Sequence, residues 1–89
     1  MKSQGLSILE RLTRRGLLGL LDEVCEELHV SRSDVLGPCR MRSITSARHH
    51  FWERLRDRGF SYPEIGHLVM RDHTTILAAL RKLSGMKGV

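Results

Sequence analysis

No apolar run in this 89-residue chain approaches the roughly 20 residues that a bilayer span requires, so a membrane-crossing helix is excluded. Cysteine is scarce. Cys25 and Cys39 form no Cys-x-x-Cys pair and the five histidines form no His-Glu-x-x-His pattern, so no metal or other cofactor is expected. The leading Met-Lys-Ser is not followed by the apolar core and small-residue cleavage site of a secretory leader, and a reduced, cytoplasmic chain is the expectation. No segment alternates apolar and polar residues between hairpin turns, which excludes a sheet, and there is no internal repeat or low-complexity stretch. A chain this short supports one small domain and offers little of the concave site that catalysis needs. Even the combination of Cys39 with Asp72 and His73 is therefore not read as a catalytic set, and no enzyme is expected.

What the chain does have is positive charge. Fifteen Lys and Arg stand against ten Asp and Glu, a net charge of +5, which makes polyanions the natural class of partner. Through Ser31 four basic residues face five acidic ones, whereas from Arg32 onward eleven face five. That asymmetry assigns any nucleic-acid surface to the second part. Twelve of the fifteen are Arg, whose planar fork suits phosphate and guanine better than the point charge of Lys.

Helical periodicity organises the chain. Ile8, Leu9 and Leu12 make a weak stripe that stops before Gly16, so residues 1–16 are expected to form an N-terminal extension, helical and in part mobile, ahead of a domain over 17–89. Leu17, Leu21, Val24, Cys25 and Leu28 line one face of a helix that ends near His29, with Asp22, Glu23, Glu26 and Glu27 opposite. Leu18 and Leu20 fall off that stripe and are read as available to a partner. Ser31 with Asp34 caps a short helix through Leu36, which Gly37 and Pro38 end. The next helix starts at Ser43 and buries Ile44, Ala47, Phe51 and Leu55, with Arg48, Arg54, Arg56 and Arg58 projecting elsewhere; Trp52 belongs either to the core or to a contact with the N-terminal helix. Ser61 with Glu64 caps a further helix, and after a turn over Met70 and Arg71 the last helix runs from Asp72 to a stop at Gly85.

The last two helices have the proportions of a helix-turn-helix, in which the second helix enters the major groove with its N-terminal residues on base edges. The residue types at that start fit the task. Asp72 can accept from a cytosine amino group, His73 can donate or accept, and Thr74 and Thr75 offer hydroxyls and methyls to phosphate or thymine. Asp72 is equally an ordinary N-cap, and both roles can hold together. Arg71 is read as a phosphate contact.

Arg40-Met-Arg42-Ser43-Ile44, Ala47-Arg48, Pro63-Glu-Ile-Gly66, Arg71-Asp-His-Thr-Thr-Ile-Leu77 and Arg81-Lys-Leu83 occur in one order, over roughly Leu18 to Leu83. This series resembles the C-terminal DNA-binding domain, domain IV, of the bacterial replication initiator family DnaA. The resemblance implies an all-α domain with a Trp-repressor-like helix-turn-helix in the major groove and a basic loop in the adjacent minor groove of double-stranded DNA. It further implies a minor-groove role for Arg40, neighbouring DNA contacts from Arg42 and Ser43, and major-groove readout by Arg48. From Asp72, His73, Thr74 and Thr75 it implies recognition of a site similar to the initiator's nine-base-pair box.

Departures from the family pattern are also visible. Met70 stands where the family usually has glycine, and His49, Trp52 and Arg54 replace residues that are commonly Gln or small and apolar. The chain has no Gly-x-x-x-x-Gly-Lys-Ser/Thr loop and no room for the initiator's ATP-binding module, so ATP-driven origin melting is excluded for this chain alone. The expectation is a nucleoid-associated DNA reader acting in replication initiation or transcription. The alternative is a module that binds the replication initiator DnaA, or another replication protein, through the acidic helix and does not bind DNA.

Overall fold

Ser61 starts its helix as its spacing to Glu64 predicts: the hydroxyl accepts from the Glu64 N–H, and the Glu64 carboxylate accepts from the Ser61 N–H at 2.8 Å. Ser7 and Glu10 form the same reciprocal box at the start of the first helix, and Ser31 accepts from the Asp34 N–H. Each arrangement satisfies N–H groups that a helix leaves without intrahelical acceptors. The computed structural model describes residues 7–87, which form α1 (Ile8–Arg14), α2 (Leu18–Leu28), α3 (Arg32–Leu36), α4 (Arg42–Asp57), α5 (Tyr62–Val69) and α6 (His73–Lys87). Among the described residues there is no strand, as the sequence predicts, and no helix long and apolar enough to cross a membrane.

The core is built around α4. Phe51, Trp52 and Leu55 pack with Leu21 and Val24 of α2, Val35 of α3, Ile65 and Leu68 of α5, and Ile76 and Ala79 of α6. Each large apolar side chain so buried contributes on the order of 2 kcal/mol. Trp52 is thereby settled as a core residue, 2% exposed.

Three expectations are corrected. Leu20 is buried and Leu18 packs partly against the core, so neither is available to a partner: an eleven-residue helix wedged between neighbours buries more than one stripe. The last helix does not stop at Gly85 but continues to Lys87, since a helical glycine costs only about 1 kcal/mol. The long helix starts at Arg42, one residue earlier than Ser43. The expected extension lies partly outside the described residues, at 1–6, but α1 joins the common core through the fully buried Leu12.

Candidate nucleic-acid interface

Three residues, Met70 to Asp72, separate α5 from α6. The two helices approach closely because of Gly66. A Cβ there would lie 2.5 Å from the Arg71 carbonyl oxygen, closer than a side chain tolerates, and a tight 3.2 Å from the His73 nitrogen. Met70 caps α5 in the left-handed region, at φ 57 and ψ 46, and its side chain is 60% exposed. A non-glycine residue therefore takes the conformation for which glycine is ordinarily used.

Asp72 Oδ1 accepts from the Thr74 N–H at 3.1 Å, and this bond holds the carboxyl pKa below its ordinary value. His73 Nδ1 lies 3.5 Å from the same oxygen. Asp72 is thus an N-cap while its side chain remains 68% exposed, and His73, Thr74 and Thr75 are exposed beside it. The first turn of α6 presents four polar side chains to solvent from a fixed backbone.

The segment from Gly37 to Met41 carries Arg40, which is exposed, as are Arg42 and Ser43 in the first turn of α4. Loops of this kind are held by side chains that satisfy their carbonyls. Here two arginines do so. Arg71 Nη2 donates to the Gly37 carbonyl at 3.0 Å, and Arg48 donates through Nε to Val35 at 2.8 Å and through Nη2 to Asp34 at 3.1 Å and Cys39 at 3.0 Å. Gly37 itself is required, because a Cβ would meet the Ser33 carbonyl oxygen at 2.6 Å.

Arg48 therefore does not stand where the sequence reading put it. The side chain expected to read the major groove is 6% exposed and spends its fork on three backbone carbonyls. Burial, and then the nearby charge of Arg71, lower its pKa. Arg71, expected to meet phosphate, is half-buried and serves first as a tie between the turn and the loop.

His49 and His50 line an open groove of about 610 Å³ with Arg40, Arg42 and Lys82. Burial, followed by the charges of Arg48, Lys82 and His50, depresses the His49 pKa, and its ring lies 5.2 Å from that of Trp52. Lys82 belongs to the Arg81-Lys-Leu83 motif but has no assigned role there, about two turns beyond Thr75. Only the packing of α6 on α4 brings it to the groove.

Three of the four carboxylates on the acidic face of α2 are already partnered. Asp22 accepts a two-point contact from Arg32 at 2.7 and 2.8 Å, and Arg54 reaches both Glu23 and Glu27. Among the described residues no three His, Cys, Asp or Glu side chains gather into a metal site.

Against this geometry, residues 19–83 match the model of the bacterial dnaA protein helix-turn-helix. The chain belongs to that family. Within the DnaA helix-turn-helix family, it is 36% identical to the chromosomal replication initiator protein DnaA of Lactococcus lactis subsp. cremoris, over 92% of this chain and 20% of that protein. The DnaA protein of Gloeobacter violaceus is 40% identical over 76% of this chain and 16% of its own length. The chain thus spans about a fifth of the length of the relatives it matches. No solved structure matches it. Membership of the DnaA family accounts for the short-turn helix pair, beside which the structure sets the loop that carries Arg40.

Proposed function

We propose that this chain reads duplex DNA in two adjacent grooves, at a site similar to the initiator's nine-base-pair box, in the control of replication initiation or of transcription. Asp72, His73, Thr74 and Thr75 meet base edges and phosphates in the major groove, and Arg40 enters the neighbouring minor groove. Arg42 and Ser43 contact the flanking backbone. Arg48 and Arg71 act through the loop rather than as base readers. The observation that carries this reading is the Arg71 to Gly37 bond, because it fixes the Arg40 loop relative to the start of α6. Two readers held in one frame select a site by its two-groove spacing as well as by its base edges.

The pairing of Asp22, Glu23 and Glu27 with Arg32 and Arg54 argues against the acidic helix as the main docking surface for a protein partner. A random-duplex selection followed by sequencing tests the proposal. An enriched motif close to the initiator's box, bound with an affinity that falls steeply with salt, is the expected outcome. Enrichment of an unrelated motif would remove the link to replication, and absence of DNA affinity at low salt would overturn the reading.

A further inference from the structure

The distribution of charge along the chain points to the second part alone as a DNA surface, but packing redistributes it. Arg11, Arg14 and Arg15 of the α1 end come to lie along α5, the first helix of the helix-turn-helix. Arg11 Nη1 is 3.0 Å from both the carbonyl oxygen and Nε2 of His67, near the end of α5. At the other end, the Arg15 guanidinium lies 5.7 Å from the centre of the Phe60 ring, and its charge helps hold the Glu64 pKa down. α1 thus runs beside the exposed flank of α5. Arg11, Arg14, Arg15, His67 and Leu68 line one open groove of about 260 Å³ there.

We infer that this groove is a third nucleic-acid contact, taking backbone phosphates of duplex DNA that flank the box. The inference rests on the two-groove reading above. In a helix-turn-helix the first helix crosses the phosphate backbone, so a basic helix laid along its flank stands beside the phosphates next along the duplex. The residue types fit that ligand: Arg14 and Arg15 are exposed forks on adjacent positions, while Arg11 is committed to anchoring α1 on α5. The nearest carboxylates, Glu10 and Glu64, are engaged in capping boxes with Ser7 and Ser61. Both stay ionised, and three arginines against these two carboxylates leave a net charge of +1, so an anion meets a local excess of positive charge in a groove already formed.

Equilibrium titration of the full chain across a salt series tests this on two duplexes, one ending at the box and one extended by about a helical turn on each side. Wild type should bind the longer duplex with the steeper salt dependence. In the double substitution Arg14→Gln, Arg15→Gln the slope of log K against log salt should fall by about 2 on the long duplex and stay unchanged on the short one. An unchanged slope on the long duplex, with box preference intact, overturns the third contact and leaves the two-groove reading standing. An equal fall on both duplexes also overturns it, because the arginines would then act within the box. Loss of binding to the purified initiator with DNA binding unaltered would reassign the groove to a protein partner. Failure of wild type to prefer either duplex over unrelated DNA would defeat the underlying reading instead. Unchanged helical signal and melting temperature in the variant exclude a folding defect.

Discussion

Arg48 and Arg71 bracket Pro38: one donates to the carbonyl of Cys39 and the other to that of Gly37, each at 3.0 Å, from α4 and from the helix-turn-helix turn. Their charges oppose each other, and Arg71 contributes to lowering the Arg48 pKa. The loop carbonyls between them compensate that repulsion. A segment without secondary structure is in this way fixed at once to α4 and to the turn between α5 and α6, and Arg40 extends from it.

Because Arg71 positions Arg40, their contributions to DNA binding should not add. In a double-mutant cycle of Arg40→Ala and Arg71→Ala, the coupling should be about 1 kcal/mol, measured as box affinity. Additive losses would mean that the Gly37 bond does not place the loop.

Arg48→Ala should unfold more readily than wild type by about 2–4 kcal/mol, since it strips donors from buried carbonyls. Urea melts would show this as a lower midpoint with an unchanged slope. Arg48→Lys should recover only part, because a single ammonium cannot serve three carbonyls in fork geometry.

The sequence placed this arginine at a base edge rather than in the fold for a physical reason. A guanidinium suits a guanine edge and a set of backbone carbonyls equally well, and nothing at position 48 shows that residues 34, 35 and 39 turn their carbonyls towards it. The helix starts at Ser31 and Ser61 were legible because caps are local, decided within four residues. The inward stripe of α4 was legible for the same reason. What depends on residues far apart was not: Leu20 buried in the core, Lys82 beside Arg42, and α1 along α5. The charge of the first thirty-one residues sums to almost nothing in sequence, yet four of its five acids lie on α2, where Arg32 and Arg54 meet three of them, while Arg11, Arg14 and Arg15 lie along α5.

Asp72→Asn should leave stability within about 0.5 kcal/mol of wild type, because Asn caps as well as Asp. It should nevertheless change the preferred base, since an amide can donate where a carboxylate only accepts. His73→Ala, at a side chain 56% exposed, should cost about 1–3 kcal/mol in box affinity with no shift in melting temperature. Selection sequencing of the Asp72 variant beside wild type would show whether the preference moves.

Met70→Gly should raise stability by about 1 kcal/mol, since the left-handed backbone at φ 57 costs methionine what it does not cost glycine. Thermal melts of the two proteins make the comparison directly. No gain would indicate that the exposed Met70 side chain makes compensating contacts.

The Glu64 carboxyl pKa is lowered, first by its bond from the Ser61 backbone and then by the Ser61 hydroxyl. A lowered folded pKa means that this stabilisation is complete above the ordinary carboxyl value and is lost as pH falls through the folded value. Melting temperature should therefore decline on acidification below about pH 4.5 more in wild type than in Glu64→Gln, whose amide keeps the box without titrating. Identical acid profiles would show that the box does not contribute to the decline.

The pairing of Arg54 with Glu23 and Glu27 has a kinetic side. The four carboxylates of α2 face two arginines, Arg32 and Arg54, so this flank sums to −2 and the remaining surface carries +7 for the net charge of +5. A molecule polarised in this way turns as it approaches a polyanion, and more of its collisions begin in a productive orientation. Reversing Arg54 to Glu would deepen that flank from −2 to −4, lower the net charge to +3 and slow association at low salt, while the lifetime of the complex, once formed, should change little.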